Sequence, residues 1–305
     1  MSSLPDRDPV SRRSRVECVA LVIEARPRDL GGFAVRRVLP AAVRRLVGPF
    51  IFFDHMGPAR MEVGQGIDVR PHPHIALATV TYLFRGDLVH RDSLGNTQPI
   101  RPGDVNWMLA GRGIVHSERS SPEARAAGVD THGIQSWVAL PTADEETAPR
   151  FEHHPAATIP TFQSGGAELT VIAGTAYGQS SPVRVCSPTL YVHARLLAGA
   201  SLVVDDGHPE RAVYVVEGSV RCGGQAFPPG RLLVLRTGAR ANLEVDAASR
   251  LMLLGGAPLD GPRHVWWNFV SSSKDRIERA KDDWRNGRFT KVPGDEVEFI
   301  PLPER

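Results

Sequence analysis

The chain has 305 residues, with 36 Lys and Arg against 34 Asp and Glu and a formal net charge of +2. Its 42% hydrophobic and 23% charged residues are the composition of a folded chain long enough for two domains of ordinary size. The charges are interspersed with no basic stripe, no apolar run is long enough to span a bilayer as a helix, and the three cysteines form no CxxC; these features argue against a nucleic-acid binder, a membrane protein, a disulfide framework and a zinc–thiolate knot.

Residues 1–15, rich in Ser, Arg and Pro, are expected to be a flexible tail. No signal-peptide pattern opens the chain, so a cytoplasmic location is expected. Strand signals follow at Val16 to Val22, Phe33 to Leu39, Phe50 to Phe53, Thr79 to Phe84, Leu88 to His90, Val105 to Leu109 and Ile134 to Leu140. Turn chemistry separates them. Leu94-Gly95-Asn96 reads as a hairpin tip, and Pro102-Gly103 suits a type II turn that needs positive φ at its third position. Short strands interrupted this regularly predict an antiparallel sandwich or barrel.

The plan then repeats. Val80 to Gly86 finds a counterpart in Ala212 to Gly218, and Pro102-Gly103 in Pro229-Gly230, in the same order. Two copies of one barrel are therefore expected, with domains at 16–145 and 146–305 and a linker near Pro141 to Pro160. Close to the end, Ser271-Ser272-Ser273 supplies an N-cap and Gly287 a stop, which predicts a helix from Lys274 to Asn286 that buries Ile277, Ala280 and Trp284. Each cysteine, at 18, 186 and 222, reads as a small buried hydrophobe or a free thiol.

Two of the histidine patterns carry chemistry. His72 and His74 stand two apart, as do His116 and Glu118, and residues i and i+2 of a strand share a face. Ala76, Ala78, Val80, Tyr82 and Phe84 continue the alternation of the first pair, so that face is expected to be apolar and inward. Buried imidazoles need partners for their nitrogens, and a metal supplies one. Three histidines and one carboxylate suit a divalent first-row ion better than calcium or magnesium. Four ligands could close a tetrahedral, structural zinc site or leave positions open on an octahedral ion, and the spacing does not choose between them. His90, His132, His193, His208 and His264 have no partner at ligand spacing, and His153-His154 fall in the expected linker. His55 follows an aromatic strand and either lines the pocket or is structural.

The segments Phe53-Asp54-His55, His72-Pro73-His74, His90 to Asn96, Arg101 to Val105 and Ala110 to Glu118 resemble the pirin family of the cupin superfamily. The likeness runs from about residue 16 to the end, and Trp266 to Val270 look like its bacterial branch. It implies an all-β fold of two tandem cupin (double-stranded β-helix, jelly-roll) barrels with a short C-terminal α-helix. It implies a metal in the first barrel, held by His72, His74, His116 and Glu118. Iron(II) stands first, with manganese, nickel, copper, cobalt or zinc as alternatives. It also implies a quercetin 2,3-dioxygenase type of activity, in which O2 cleaves a flavonol ring and carbon monoxide leaves. In that reading Glu118 accepts the substrate proton, and Phe52, His55, Tyr82 and Phe84 are the expected substrate contacts. One departure is Ala78, at a position where cupins often carry Glu. The alternative reading is a regulator that binds a protein partner according to the state of its metal, without a dedicated substrate. Counting from the repeated glycines places the second barrel's ligand positions on Val204, Asp206, Leu243 and Val245, so that barrel is expected to be metal-free.

Overall fold

The computed structural model describes residues 10–14, 16–29 and 33–304. The expected flexibility of the tail falls largely outside these residues; its last part, Val10–Arg13, pairs with Val19–Glu24 as an antiparallel strand. The chain forms two tandem barrels of the cupin type, built mostly from strands with one short helix at Pro122–Ala127, followed by a helix at Lys274–Arg285. Among the described residues no helix is long and apolar enough to cross a membrane.

The first barrel sets a seven-stranded sheet against a four-stranded one. The strands of the large sheet run in the order Arg150–His154, Val105–Leu109, Leu77–Arg85, Asp130–Ala139, Phe50–Arg60, Ala34–Leu39 and Arg26–Asp29. The small sheet runs Asp68–His74, Ile114–Arg119, Leu88–Asp92 and Thr97–Ile100. The second barrel has the same plan, with Glu210–Glu217 and Arg231–Leu235 in place of Leu77–Arg85 and Val105–Leu109. The repeat extends to single hydrogen bonds. Gly103 N–H donates to Leu83 O at 3.0 Å, and Gly230 N–H donates to Val215 O at 2.8 Å. In both barrels the acceptor lies three residues before the glycine that ends its strand, Gly86 or Gly218. Both turn glycines have φ near +80°, where a Cβ would be strained.

The chain crosses between barrels at its start. Val19–Glu24 joins the second barrel's large sheet beside Arg231–Leu235, whereas Arg26–Asp29, immediately after it, pairs with Ala34–Leu39 in the first barrel. The two large sheets face each other across a shared apolar layer. Phe53, Val80, Tyr82 and Ile134 of the first barrel meet Tyr191, Tyr214, Met252 and Leu254 of the second. Phe53 packs edge-on to Tyr214, with centroids 5.2 Å apart.

The barrel interiors differ. The second is filled by one apolar cluster that includes Val171, Val192, Val213, Val215, Phe227, Leu233 and Leu251. Val204, Leu243 and Val245, at the counted ligand positions, are buried side chains of that cluster, and Asp206 is exposed. The first barrel has smaller apolar clusters at its ends and polar side chains at its centre. A packed apolar interior offers no ligating atoms, so the polar side chains inside the first barrel are the candidates for chemistry.

The C-terminal segment returns to the first barrel. Ile300 N–H donates to Pro71 O, Ile75 bridges to Phe269, and Ile277 and Ala280 of the helix pack with both. Ser273 caps that helix, its side chain accepting from Arg276 N–H at 3.3 Å. Trp284 is partly buried, and its Nε1–H donates to Ile300 O.

Candidate metal centre

The site lies on the small sheet of the first barrel, where three adjacent strands bring their side chains together. His116 on Ile114–Arg119 sits directly across from His72 on Asp68–His74. On its other side, Glu118 sits across from His90 on Leu88–Asp92. Cross-strand partners share a face, so all five side chains of this set, with His74, point into the barrel. A register shift between His116 and Glu118 marks a β-bulge beside the site.

The ligand atoms of His72, His74 and His116 all lie within 4.8 Å of one another, and so do those of His90, His116 and Glu118. The two groups share His116. All five residues are buried. The Nε2 atoms of His74 and His116 are 3.2 Å apart. His72 Nδ1 lies 2.8 Å from Arg70 O and His74 Nδ1 lies 3.1 Å from Asn268 O. A carbonyl can only accept, so both Nδ1 atoms carry the proton and both Nε2 atoms present bare lone pairs. Burial also disfavours the charged rings, holding His72 down to about 4 and His74 and His116 well below the usual range.

The donor set fits a metal. His116 Nδ1 is buried without a hydrogen-bond partner. If His116 donated from Nε2 to His74, its Nδ1 lone pair would remain dry and unused. A cation among the three imidazoles instead uses the lone pair of each ring, and His116 Nδ1 then carries that ring's proton. Neutral imidazoles with a carboxylate suit a divalent first-row ion.

Glu118 is held from a second direction. Thr81 Oγ1 lies 2.7 Å from Glu118 Oε1 and 2.8 Å from Gln135 Oε1. The Thr81 hydroxyl has one proton. With Glu118 ionised, that proton goes to the carboxylate, and the Gln135 side chain turns its amide N–H toward Thr81. Burial raises the Glu118 pKa, and the Thr81 hydrogen bond opposes the rise.

The expected substrate contacts separate into two places. The chain breaks between Asp68–His74 and Leu77–Arg85, with Ala76 at φ +54°, and the second strand belongs to the other sheet. The face therefore does not continue as the alternation predicts. Thr81 points to the ligands, whereas Ala78, Val80 and Tyr82 point out into the inter-barrel layer. Tyr82 OH lies 3.0 Å from His193 Nδ1, and the Phe84 ring is 4.9 Å from both His132 and His193. His55 is in the same layer, 2.9 Å from Tyr214 OH and 2.8 Å from His132 Nε2. Phe52 remains near the site: it stacks on Trp137 at 4.1 Å, and Trp137 lies edge-on to His74 at 5.1 Å. Arg37 covers Phe52 from 4.5 Å and pairs with Asp54 through two hydrogen bonds.

His90 and Trp137 are the residues that sequence reasoning missed. His90 Nε2 lies 3.0 Å from Asp92 Oδ2, and its ring stacks on Phe151 at 4.3 Å. The signal was present, because His90 and Asp92 are also two apart. Trp137 gave none, since its position depends on which face of Asp130–Ala139 turns inward.

The Pirin family model matches residues 32–138, and the Pirin C-terminal cupin domain matches residues 191–290. A Pirin-like protein of Caulobacter vibrioides is 49% identical over 289 residues, which is 94% of this chain and 100% of the relative. The chain belongs to the pirin family. Among solved structures, one named quercetin 2,3-dioxygenase from Acinetobacter baumannii is 33% identical with a TM-score of 0.87, covering 93% of this chain and 95% of its own. A bacterial pirin of Escherichia coli in complex with nickel(II) shares the fold at 22% identity and a TM-score of 0.61, over 77% of this chain and 96% of its own.

Proposed function

We propose that this pirin is a ring-cleaving dioxygenase of the quercetin 2,3-dioxygenase type, acting on a flat flavonol-like substrate with O2. The observation that carries the proposal is the buried convergence of three imidazoles, His72, His74 and His116, with the Glu118 carboxylate beside His116. The similarity to a structure named quercetin 2,3-dioxygenase supports it. In this reading His72, His74, His116 and Glu118 hold iron(II), and the protein works in the cytoplasm.

When bound, the metal would supply Lewis acidity that acidifies a coordinated hydroxyl and a redox centre for O2. The protein's own residues do the rest. Arg70 O and Asn268 O fix the His72 and His74 tautomers. Glu118 takes the substrate hydroxyl proton on a carboxylate oxygen. Thr81 orients that carboxylate. The stacked Phe52 and Trp137 rings offer a flat apolar wall beside His74 that suits an aromatic substrate.

The test is an aerobic assay of iron-loaded protein that follows flavonol absorbance and carbon monoxide release. Wild type should consume flavonol, and Glu118→Gln with metal bound should be at least tenfold slower. Equal inactivity of the two metal-loaded proteins would defeat the proposal.

A further inference from the structure

Outside the metal centre the fold brings together two side chains that the sequence holds 204 positions apart. Cys18 Sγ and Cys222 Sγ are 2.9 Å from each other. Cys186 is not part of this contact, and all three are free thiols. Cys18 lies in the turn before Val19–Glu24, a strand of the second barrel's large sheet. Cys222 ends Val220–Cys222, a strand of the same barrel's small sheet, and leads into the Gly223-Gly224 turn.

The backbone on both sides is held in place. Arg236 N–H donates to Cys18 O at 2.9 Å, and Arg236 Nε–H donates to Glu17 O at 2.8 Å. Gly223 is so close to Val16 that a Cβ there would sit 2.7 Å from Val16 Cγ1. The thiol contact is therefore a product of packing between two anchored segments. A disulfide requires its sulfurs about 2.05 Å apart, so a closing shift of roughly 0.9 Å is needed, small for side chains at turn ends. The two thiols differ in access. Cys222 is buried, whereas Cys18 is part-exposed and open to a reagent from solvent.

We propose that Cys18 and Cys222 form a reversible dithiol–disulfide site that staples the two sheets of the second barrel. The oxidant is a low-molecular-weight disulfide. Cys18, as thiolate, attacks one of its sulfurs; the S–S bond breaks and one small thiol leaves. Cys222 then attacks the Cys18 sulfur of the mixed disulfide, gives up its proton to solvent, and expels the second small thiol. Two protein thiols are oxidised by two electrons and one small disulfide is reduced to two thiols. The product would fasten the crossover segment, which runs from the second barrel at Val19–Glu24 to the first at Arg26–Asp29.

The test uses the full, metal-loaded chain. Protein is incubated with oxidised glutathione, blocked with a thiol alkylator under denaturing conditions, and digested without reductant. Mass mapping should find the peptides carrying Cys18 and Cys222 joined within one chain, with two hydrogens lost, Cys186 alkylated, and full reversal by dithiothreitol. The melting temperature of the oxidised form should rise by several degrees, since a crosslink across a long loop restricts the unfolded chain. Cys186→Ser should behave as wild type, and neither Cys18→Ser nor Cys222→Ser should give the linked species. The proposal is overturned if all three thiols stay free, if Cys18 stops at the glutathione adduct, or if the linked species joins two chains.

Discussion

The C-terminal segment meets the metal centre at Asn268 and is anchored beside it by one buried carboxylate, and breaking that anchor should be felt at His74. Glu145, just beyond the first barrel's last inner strand, accepts hydrogen bonds from Ser271 Oγ at 2.9 Å, Ser272 N at 2.8 Å and Ser272 Oγ at 3.0 Å. It also pairs with Arg263 Nε at 2.9 Å, and both side chains are buried. These bonds bracket the stretch containing Asn268, whose carbonyl fixes the His74 ring. Removing one member of a buried ion pair costs about 3–5 kcal/mol. Arg263 keeps Asp260 and Leu140 O, so Glu145→Ala should fall at the low end, about 3 kcal/mol. Glu145→Gln, which keeps the shape, should cost less. Loss of an outer-shell partner typically weakens metal binding about 10- to 100-fold. The assay pairs urea denaturation with metal competition against a chromophoric chelator. Glu145→Ala should lose both stability and metal affinity, by about tenfold or more in the latter. Unchanged metal affinity in a destabilised Glu145→Ala protein would refute the link between this segment and the site.

Other predictions follow from single contacts. Thr81→Val removes the hydroxyl that orients Glu118; it should weaken metal binding and, read from kcat at matched metal content, turn over flavonol about 10- to 150-fold more slowly, matching the loss of about 1.5–3 kcal/mol for a hydrogen bond to a charged group. Phe53→Ala opens a cavity between the barrels and should lower the unfolding free energy by about 3–5 kcal/mol, measured in urea. His55, His132 and His193 are buried in that layer, and burial lowers their pKa values from 6.5 to about 2, 4 and 3. Below pH 6.5 the unfolded chain takes up protons that the folded one refuses, so stability should fall as pH drops from 6.5 to about 4, at about 1.4 kcal/mol per pH unit for each such histidine. Urea midpoints at pH 7, 6 and 5 test this, and His193→Gln should flatten the slope.

Local pattern carried much of the fold. The HxH and HxE pairs were legible because a strand repeats every two residues, and the structure does place these four side chains on adjacent strands of one sheet. The Pro-Gly turns fixed the repeat, since positive φ restricts the choice of residue. The C-terminal helix was legible from its Ser cap and its spacing. What failed was extrapolation across an unseen break: Ile75-Ala76 carries the chain from one sheet to the other, and the face of every later residue changes sense. That moved Tyr82 and Phe84 from the pocket to the inter-barrel layer. Long-range closeness was also invisible. Nothing local marks Val19–Glu24 as a strand of the second barrel, Asn268 as a partner of His74, or Cys18 as a neighbour of Cys222.

In the proposed centre one divalent metal sits among His72, His74, His116 and Glu118. Metal analysis of the purified chain together with X-ray absorption at the metal edge tests it most directly. The expected result is one first-row metal per chain, with nitrogen and oxygen ligands and at least one exchangeable position, and its loss in His116→Ala. A chain that binds no such metal, or binds it undiminished in His116→Ala, would contradict it.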